Sequence, residues 1–266
     1  RDISRNRTKS LGPWAWVITG KFYNPCTNAP NSGEKDLCGN FKCLLRWLGN
    51  SLGHFMLTIE IFSDVICPWC FIGKRRLDQA LDGKTGANVV LRWRPYQLYP
   101  NVPEAGWDRQ DFIRRRYGAA ADAGRVPGRI REEAEQEGLE LRYDRIRRVP
   151  NTLLAHRLME LAALRDCQHA LAEALFIGYF CTGEDIGDLS SLISLGVQVG
   201  LDPDEIASEL SGDFGLEEVD QQLRRAPDAG VAGVPGYLLG GGFLLPGAQS
   251  VDTMRQIISR AKVRLG

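Results

Sequence analysis

The sequence predicts an α/β fold in which a β-α-β half and a β-β-α half are separated by a long helical insertion. Three observations predict it. Strand-like runs at 57–62 and 89–93 flank a single helix-like run at 71–81. Residues 104 to 226 carry helical periodicity with no comparable strand. Strand-like runs then return at 233–239 and 243–245, followed by one last helix at 250–263.

Each element has a local reason. Residues 57–62 alternate in polarity and are rich in β-branched side chains, and 89–93 do the same after a loop holding Gly83, Gly86 and Asn88. One helix between two strands makes a parallel pair with a right-handed crossover. In the insertion, Pro150 stops the chain and Asn151 is placed to cap a helix whose face is Leu154, Leu158, Leu161 and Ala162. A second apolar helix spans 170–180 and closes at Gly183. Asp188 caps a third, Asp202-Pro203 restarts the chain after Gly200, and a last insertion helix covers 216–225. Pro127-Gly128 interrupts what otherwise reads as one long helix. Gly240, Gly241 and Gly242 allow a hairpin turn between the last two strands. The final helix gathers Met254, Ile257, Ile258 and Ala261 on one side.

Composition narrows the function. In 266 residues, Lys plus Arg equals Asp plus Glu at 33 each, so no global charge draws the chain to nucleic acid or an anionic membrane. Arg114, Arg115 and Arg116 read as a solvated helix face. No apolar stretch reaches the ~18 residues a spanning helix needs, so the chain reads as soluble. The seven cysteines are odd in number and irregularly spaced, which does not describe a disulfide framework. Cys167 and Cys181 fall in apolar helical segments, as small hydrophobes do.

Residues 1–55 show no lasting period and read as an unstructured or non-native extension, with Met56 the expected natural start. The apolar stretch 11–19 is short, contains Pro13 and lacks a small-x-small cleavage site, which argues against a secretory signal. Cys26, Cys38 and Cys43 lack the fourth ligand and tight spacing of a zinc site. No metal is expected.

The chemistry concentrates at Cys67-Pro68-Trp69-Cys70, between the first strand and its helix. Two cysteines separated by two residues at such a turn can close a small disulfide. The first sulfur then stands near the helix N-terminus, where unpaired N–H groups and a partial charge of about +0.5 favour a thiolate. Cys67 is therefore the expected attacking sulfur. Cys70, about one turn inside the helix, faces the interior and resolves a mixed disulfide. Pro68 suits the first helical position, where its missing N–H costs nothing. Lys74 and Arg75 read as exposed cations, and His156 as a packed histidine.

Residues 63–76 (SDVICPWCFIGKRR), 93–98 (WRPYQL), Pro150-Asn151-Thr152 with Ala155-His156-Arg157, and Gly233-Val234-Pro235 with Gly247-Ala248-Gln249 together resemble the FrnE-like branch of the DsbA family. The likeness covers residues 57–262 and implies a thioredoxin-like fold, with 56–103 and 227–266 as its core and 104–226 as the helical insertion. It also implies a cis Val234-Pro235 bond beside the cysteine pair. Pro68, Trp69, Val234 and Pro235 are then the expected substrate contacts. One departure is Gly236, where relatives carry an aromatic or other bulky residue, and its missing side chain is expected to widen the substrate groove or loosen it.

The resemblance implies a protein disulfide oxidoreductase, acting on a thiol- or disulfide-bearing protein or small molecule. No tightly bound cofactor is expected, with glutathione as the candidate co-substrate. Two other classes compete. One is a glutathione-dependent isomerase or transferase of small aromatic or polyketide-like molecules, related to 2-hydroxychromene-2-carboxylate isomerase; such enzymes use a single Ser or Cys, which Cys70 argues against. The other is a non-enzymatic module gripping unfolded chains beside Pro235. The expected compartment is the cytoplasm, where a paired CxxC is catalytic or redox-sensing more often than structural.

Overall fold

The computed structural model describes residues 56–265. The expectations for residues 1–55, including Cys26, Cys38 and Cys43, lie outside them. β1 (Leu57–Ser63) leads through a turn into α1 (Pro68–Leu81), and β2 (Val89–Pro95) returns parallel to β1, with Leu57 beside Val89 and Ser63 beside Pro95. After the insertion come β5 (Gly236–Leu239), antiparallel to β1, and β6 (Phe243–Pro246), antiparallel to β5. The sheet order is β2-β1-β5-β6, closed by α9 (Val251–Leu265). This is the expected α/β, thioredoxin-like architecture with its helical insertion.

The insertion contains β3 (Trp107–Asp108), α2 (Arg109–Tyr117), α3 (Gly128–Gln136), β4 (Arg148–Val149), α4 (Leu153–Leu164), α5 (Gln168–Ile177), α6 (Leu189–Gln198), α7 (Pro203–Ser211) and α8 (Leu216–Asp228). Four expectations need correcting. Trp107–Asp108 and Arg148–Val149 pair as a two-residue ladder, too short to show any periodicity. The break around Pro127 is a whole irregular stretch, 118–127, rather than a point. Asn151 is one residue outside the N-cap, Thr152, yet its Oδ1 still accepts the Leu153 N–H at 2.9 Å, so the helix begins one residue later than its spacing predicts while the Asn151 side chain still caps it. α8 runs on to Asp228 because Pro227 falls in its last turn, where little helix remains to be broken.

β1 is covered on both sides. Ile59 and Ile61 enter the main core with α1, while Phe62 joins Leu238, Val231 and Ala226 in a smaller cluster on the opposite face. Glu60 is buried as well, and Arg94 and Arg225 hold its two oxygens at 2.7 and 3.1 Å. The insertion is joined to the sheet side through α1. Phe71 stacks on Phe176 of α5 at 5.2 Å and on Phe180 at 6.1 Å. Arg76 pairs with Glu133 and Glu137 around α3 and donates to the Ala248 carbonyl at 3.0 Å. Among the described residues no helix is long and apolar enough to cross a membrane.

Phe71 is fully buried at this junction. Phe71→Ala should therefore cost about 3–5 kcal/mol by urea denaturation, the usual penalty for truncating a buried phenylalanine. A loss below about 1 kcal/mol would mean that the two halves do not depend on this stack.

Candidate active site

The turn after β1 places the cysteines. Cys67 is the N-cap of α1 in extended conformation, Pro68 follows at the first helical position, and the Cys67 carbonyl accepts the Cys70 N–H at 3.0 Å. The Cys67 N–H in turn donates to the Asp64 carbonyl at 3.0 Å, which ties the motif back to the end of the strand. Cys67 Sγ lies 3.7 Å from the Val234 carbonyl oxygen, across 167 residues of chain. The Val234-Pro235 bond is cis. Cys67, Val234 and Pro235, expected together from sequence, are thus neighbours.

The two sulfurs differ in surroundings. Cys70 is 1% exposed. Burial pushes its thiol well above the ordinary range and the neighbouring Cys67 adds to this, while the Ser63 side chain and the Asp64 backbone pull the other way. Trp69 is half-buried, with the Arg129 guanidinium of α3 5.5 Å from its ring. Pro68 borders a cavity of about 430 Å³ whose other walls include Tyr99, from the segment after β2, and residues of the insertion, among them Arg109 and Tyr143.

Some expected residues stand elsewhere. Lys74 is not an exposed cation: it is 4% exposed and pairs with Asp78 at 2.7 Å and Glu173 at 2.9 Å. Arg75 also meets Glu173 and lies over the Phe71 ring. His156, by contrast, is packed as expected, with Nε2 donating to the Tyr96 carbonyl at 3.0 Å. Gly236 does not open the groove. A Cβ there would point at Val231 Cγ1, 3.3 Å away, and Leu244 Cδ1, 3.6 Å away, into the small cluster behind the sheet. The alternation of β5 explains this, since Gly236 shares a face with Leu238 and not with Tyr237.

Three buried polar groups escaped the sequence reading. Asp64 is fully buried; Oδ2 accepts the Leu98 N–H at 2.7 Å, while Oδ1 has no hydrogen-bond partner among the described residues and lies 3.7 Å from His156 Nε2. Ser63 Oγ makes no hydrogen bond of ordinary geometry among the described residues, so its pull on the Cys70 thiol is that of a nearby hydroxyl dipole. An acid three residues before a CxxC was the available signal, but its burial is a tertiary fact. Tyr237 OH is buried and has no partner among the described residues either, and it lies 2.3 Å from where a Cβ on Gly73 would stand, so α1 approaches β5 closely only because position 73 is glycine. Among the described residues no three His, Cys, Asp or Glu side chains cluster as metal ligands.

Known proteins share this fold. The model of the DSBA-like thioredoxin domain family matches residues 58–259. The uncharacterized protein YwbO of Bacillus subtilis is 28% identical over 202 residues, covering 76% of this chain and 95% of its own. A probable DsbA oxidoreductase of Streptomyces coelicolor is 27% identical, with a TM-score of 0.67 over 77% of this chain and 89% of its own. The cytosolic disulfide reductase DsbM of Pseudomonas aeruginosa, in its structure with GSH, is similar in fold at 16% identity, with a TM-score of 0.58 over 78% of this chain and all of its own.

Two outcomes are expected of the reduced protein. Because Cys70 holds its proton more tightly folded than unfolded, its contribution to stability is complete below about pH 8.5 and falls as pH rises through the thiol range. Cys167 and Cys181, also raised by burial, act in the same direction. The decline in unfolding free energy between about pH 8.5 and 10 should therefore be shallower, not absent, in Cys70→Ala; equal slopes would refute the buried-thiol assignment. Tyr237→Phe removes an unpartnered buried hydroxyl and should raise stability by about 1 kcal/mol in urea titrations.

Proposed function

The chain belongs to the DSBA-like thioredoxin domain family, and within it we propose that the protein is a thiol-disulfide oxidoreductase working through Cys67 and Cys70. The observation that carries the reading is the placement of Cys67 as N-cap of α1, against the Val234 carbonyl, with Cys70 buried one turn behind it. Anions are favoured at a helix N-terminus, which is where the Cys67 sulfur must carry charge.

In the oxidising direction a substrate thiolate attacks Cys67 Sγ. The Cys67–Cys70 bond breaks, Cys70 leaves as a thiolate and takes up a proton, and the substrate is held as a mixed disulfide. A second substrate thiolate then attacks the substrate sulfur, forming the product disulfide and releasing Cys67. In the reducing direction Cys67 thiolate attacks the substrate disulfide and Cys70 resolves the adduct. Pro68 and Trp69 on one side and Val234 and Pro235 on the other are the proposed walls of the exchange site. The proposed division of labour gives sulfur chemistry to the 56–103 and 227–266 core and substrate selection to the 104–226 insertion. Glutathione is the proposed small-thiol partner, as a co-substrate and not a resident group, and the proposed setting is the cytoplasm. A resolving Cys70 weighs against the isomerase alternative, which has no use for a second sulfur.

The test is a glutathione redox titration of the full chain, read by alkylation and mass spectrometry. A reversible two-electron transition is expected in the wild type, none in Cys67→Ser, and a stable adduct of one glutathione on Cys67 in Cys70→Ser. Glutathione bound without forming any internal disulfide would instead favour the isomerase class.

A further inference from the structure

The cavity beside Pro68 carries chemistry that sulfur exchange alone does not require. Its volume of about 430 Å³ lies among small-molecule sites, which run roughly from 300 to 1,000 Å³. Ile66 and Pro68 of the active-site turn line one side of it. Tyr99, Phe112 and Tyr143 supply flat apolar surface, the first two meeting edge to face at 4.9 Å. Among these rings stands a half-buried cation. The Arg109 guanidinium lies 4.7 Å over the Tyr143 ring and donates through Nε to the Ala123 carbonyl at 3.3 Å. No carboxylate pairs with it among the described residues. Asp122, the one acid lining the cavity among the described residues, is exposed and accepts the Gly124 N–H at 2.8 Å. Arg125 adds a second positive charge.

A planar guanidinium with free N–H groups matches a carboxylate, and a partly desolvated one binds it more strongly than in water. Aromatic walls match a flat, apolar body. The neighbouring sulfur pair matches a thiol. We propose that this cavity is a substrate site, and that the substrate is a low-molecular-mass thiol or disulfide built on an aromatic carboxylate. Its ring lies among Tyr99, Phe112 and Tyr143, its carboxylate meets Arg109, and its sulfur reaches Cys67. The inference rests on the oxidoreductase reading and narrows it. Two substrate thiols and the Cys67–Cys70 disulfide give one substrate disulfide and two protein thiols, with two electrons passing to the protein and no further reactant.

Three thiols test it against the oxidised full chain, with reduction of the Cys67–Cys70 pair followed by acid quench and alkylation: para-(mercaptomethyl)benzoate, phenylmethanethiol, which lacks the carboxylate, and mercaptoacetate, which lacks the ring. The first is expected to react about tenfold faster than either of the others, the scale of one charge-assisted hydrogen bond. Arg109→Gln should remove most of its advantage over phenylmethanethiol, and Arg109→Lys should keep part of it. The comparison is a ratio within each variant, so general damage to the fold, which slows both thiols alike, does not imitate the effect. Equal rates in the wild type, or a preference that survives Arg109→Gln, overturn the proposal.

Dithiothreitol, which needs no pocket, separates the two readings: if it cannot cycle the wild-type pair, the oxidoreductase reading fails. The cavity is then decided by calorimetric titration with para-toluate, which has no sulfur. Binding to the wild type, weakened about tenfold in Arg109→Gln, supports the aromatic-carboxylate site. No binding to the wild type overturns it.

Discussion

The stack of Phe71 on Phe176 and Phe180 is the contact on which the rest of the site depends. Phe71 follows Cys70 directly, so whatever fixes its ring fixes the first turn of α1 and the direction in which Cys67 faces. α1 is gripped from two sides, by the sheet through Ile72 and Leu77 and by the insertion through Phe71 and the pairs made by Arg76. The energetic weight lies with the apolar contacts. A buried ion pair such as Lys74 with Asp78 and Glu173 adds little net stability, because desolvation offsets most of its Coulomb gain, but losing one partner leaves a stranded charge. These pairs therefore act on α1 more as constraints on its orientation than as sources of free energy.

The sheet imposes a second constraint. β1 is central and covered on both faces, so up to its Ser63 end its buried positions are apolar or paired, and Glu60 satisfies this only through Arg94 and Arg225. Arg94 comes from β2 and Arg225 from α8, so one buried acid links the sheet to the last helix of the insertion. The same two-sided burial accounts for Gly236. Its face of β5 packs against Val231 and Leu244, where any side chain would have to displace its neighbours.

What could be read from sequence follows the range of the forces involved. Strand alternation, the proline at the start of α1, Gly183 at the close of the apolar helix and the acid cap at Asp188 are local, and the structure repeats them within a few residues. The nearness of Cys67 to Val234 was also legible, but through family resemblance and not through periodicity. The cap boundary at Asn151, the extent of the break before α3 and the end of α8 are local misses of a few residues, and the larger failures are tertiary. Lys74 was read as exposed because nothing in α1 itself announces Glu173, about a hundred positions later in the chain. Gly236 was assigned to the groove because strand phase cannot be set before the partner strand is known. Arg129 over Trp69, and Arg109 among its aromatic neighbours, belong to a stretch whose helices are short and polar, where the hydrophobic pattern carries little signal.

The asymmetry between the two sulfurs follows from the same packing. In the proposed exchange, Cys70 is the leaving group when the internal disulfide opens and the nucleophile when it closes. A thiol whose proton is held tightly by burial leaves slowly, and once deprotonated it attacks strongly. The apolar wall around Cys70 therefore slows opening per encounter and favours closure once a proton acceptor is at hand. Ser63 and the Asp64 backbone, which pull against desolvation, are the nearby groups that moderate this bias. They sit where β1 gives way to the turn, so the strand end that places Cys67 also sets the surroundings in which Cys70 must gain or lose its proton.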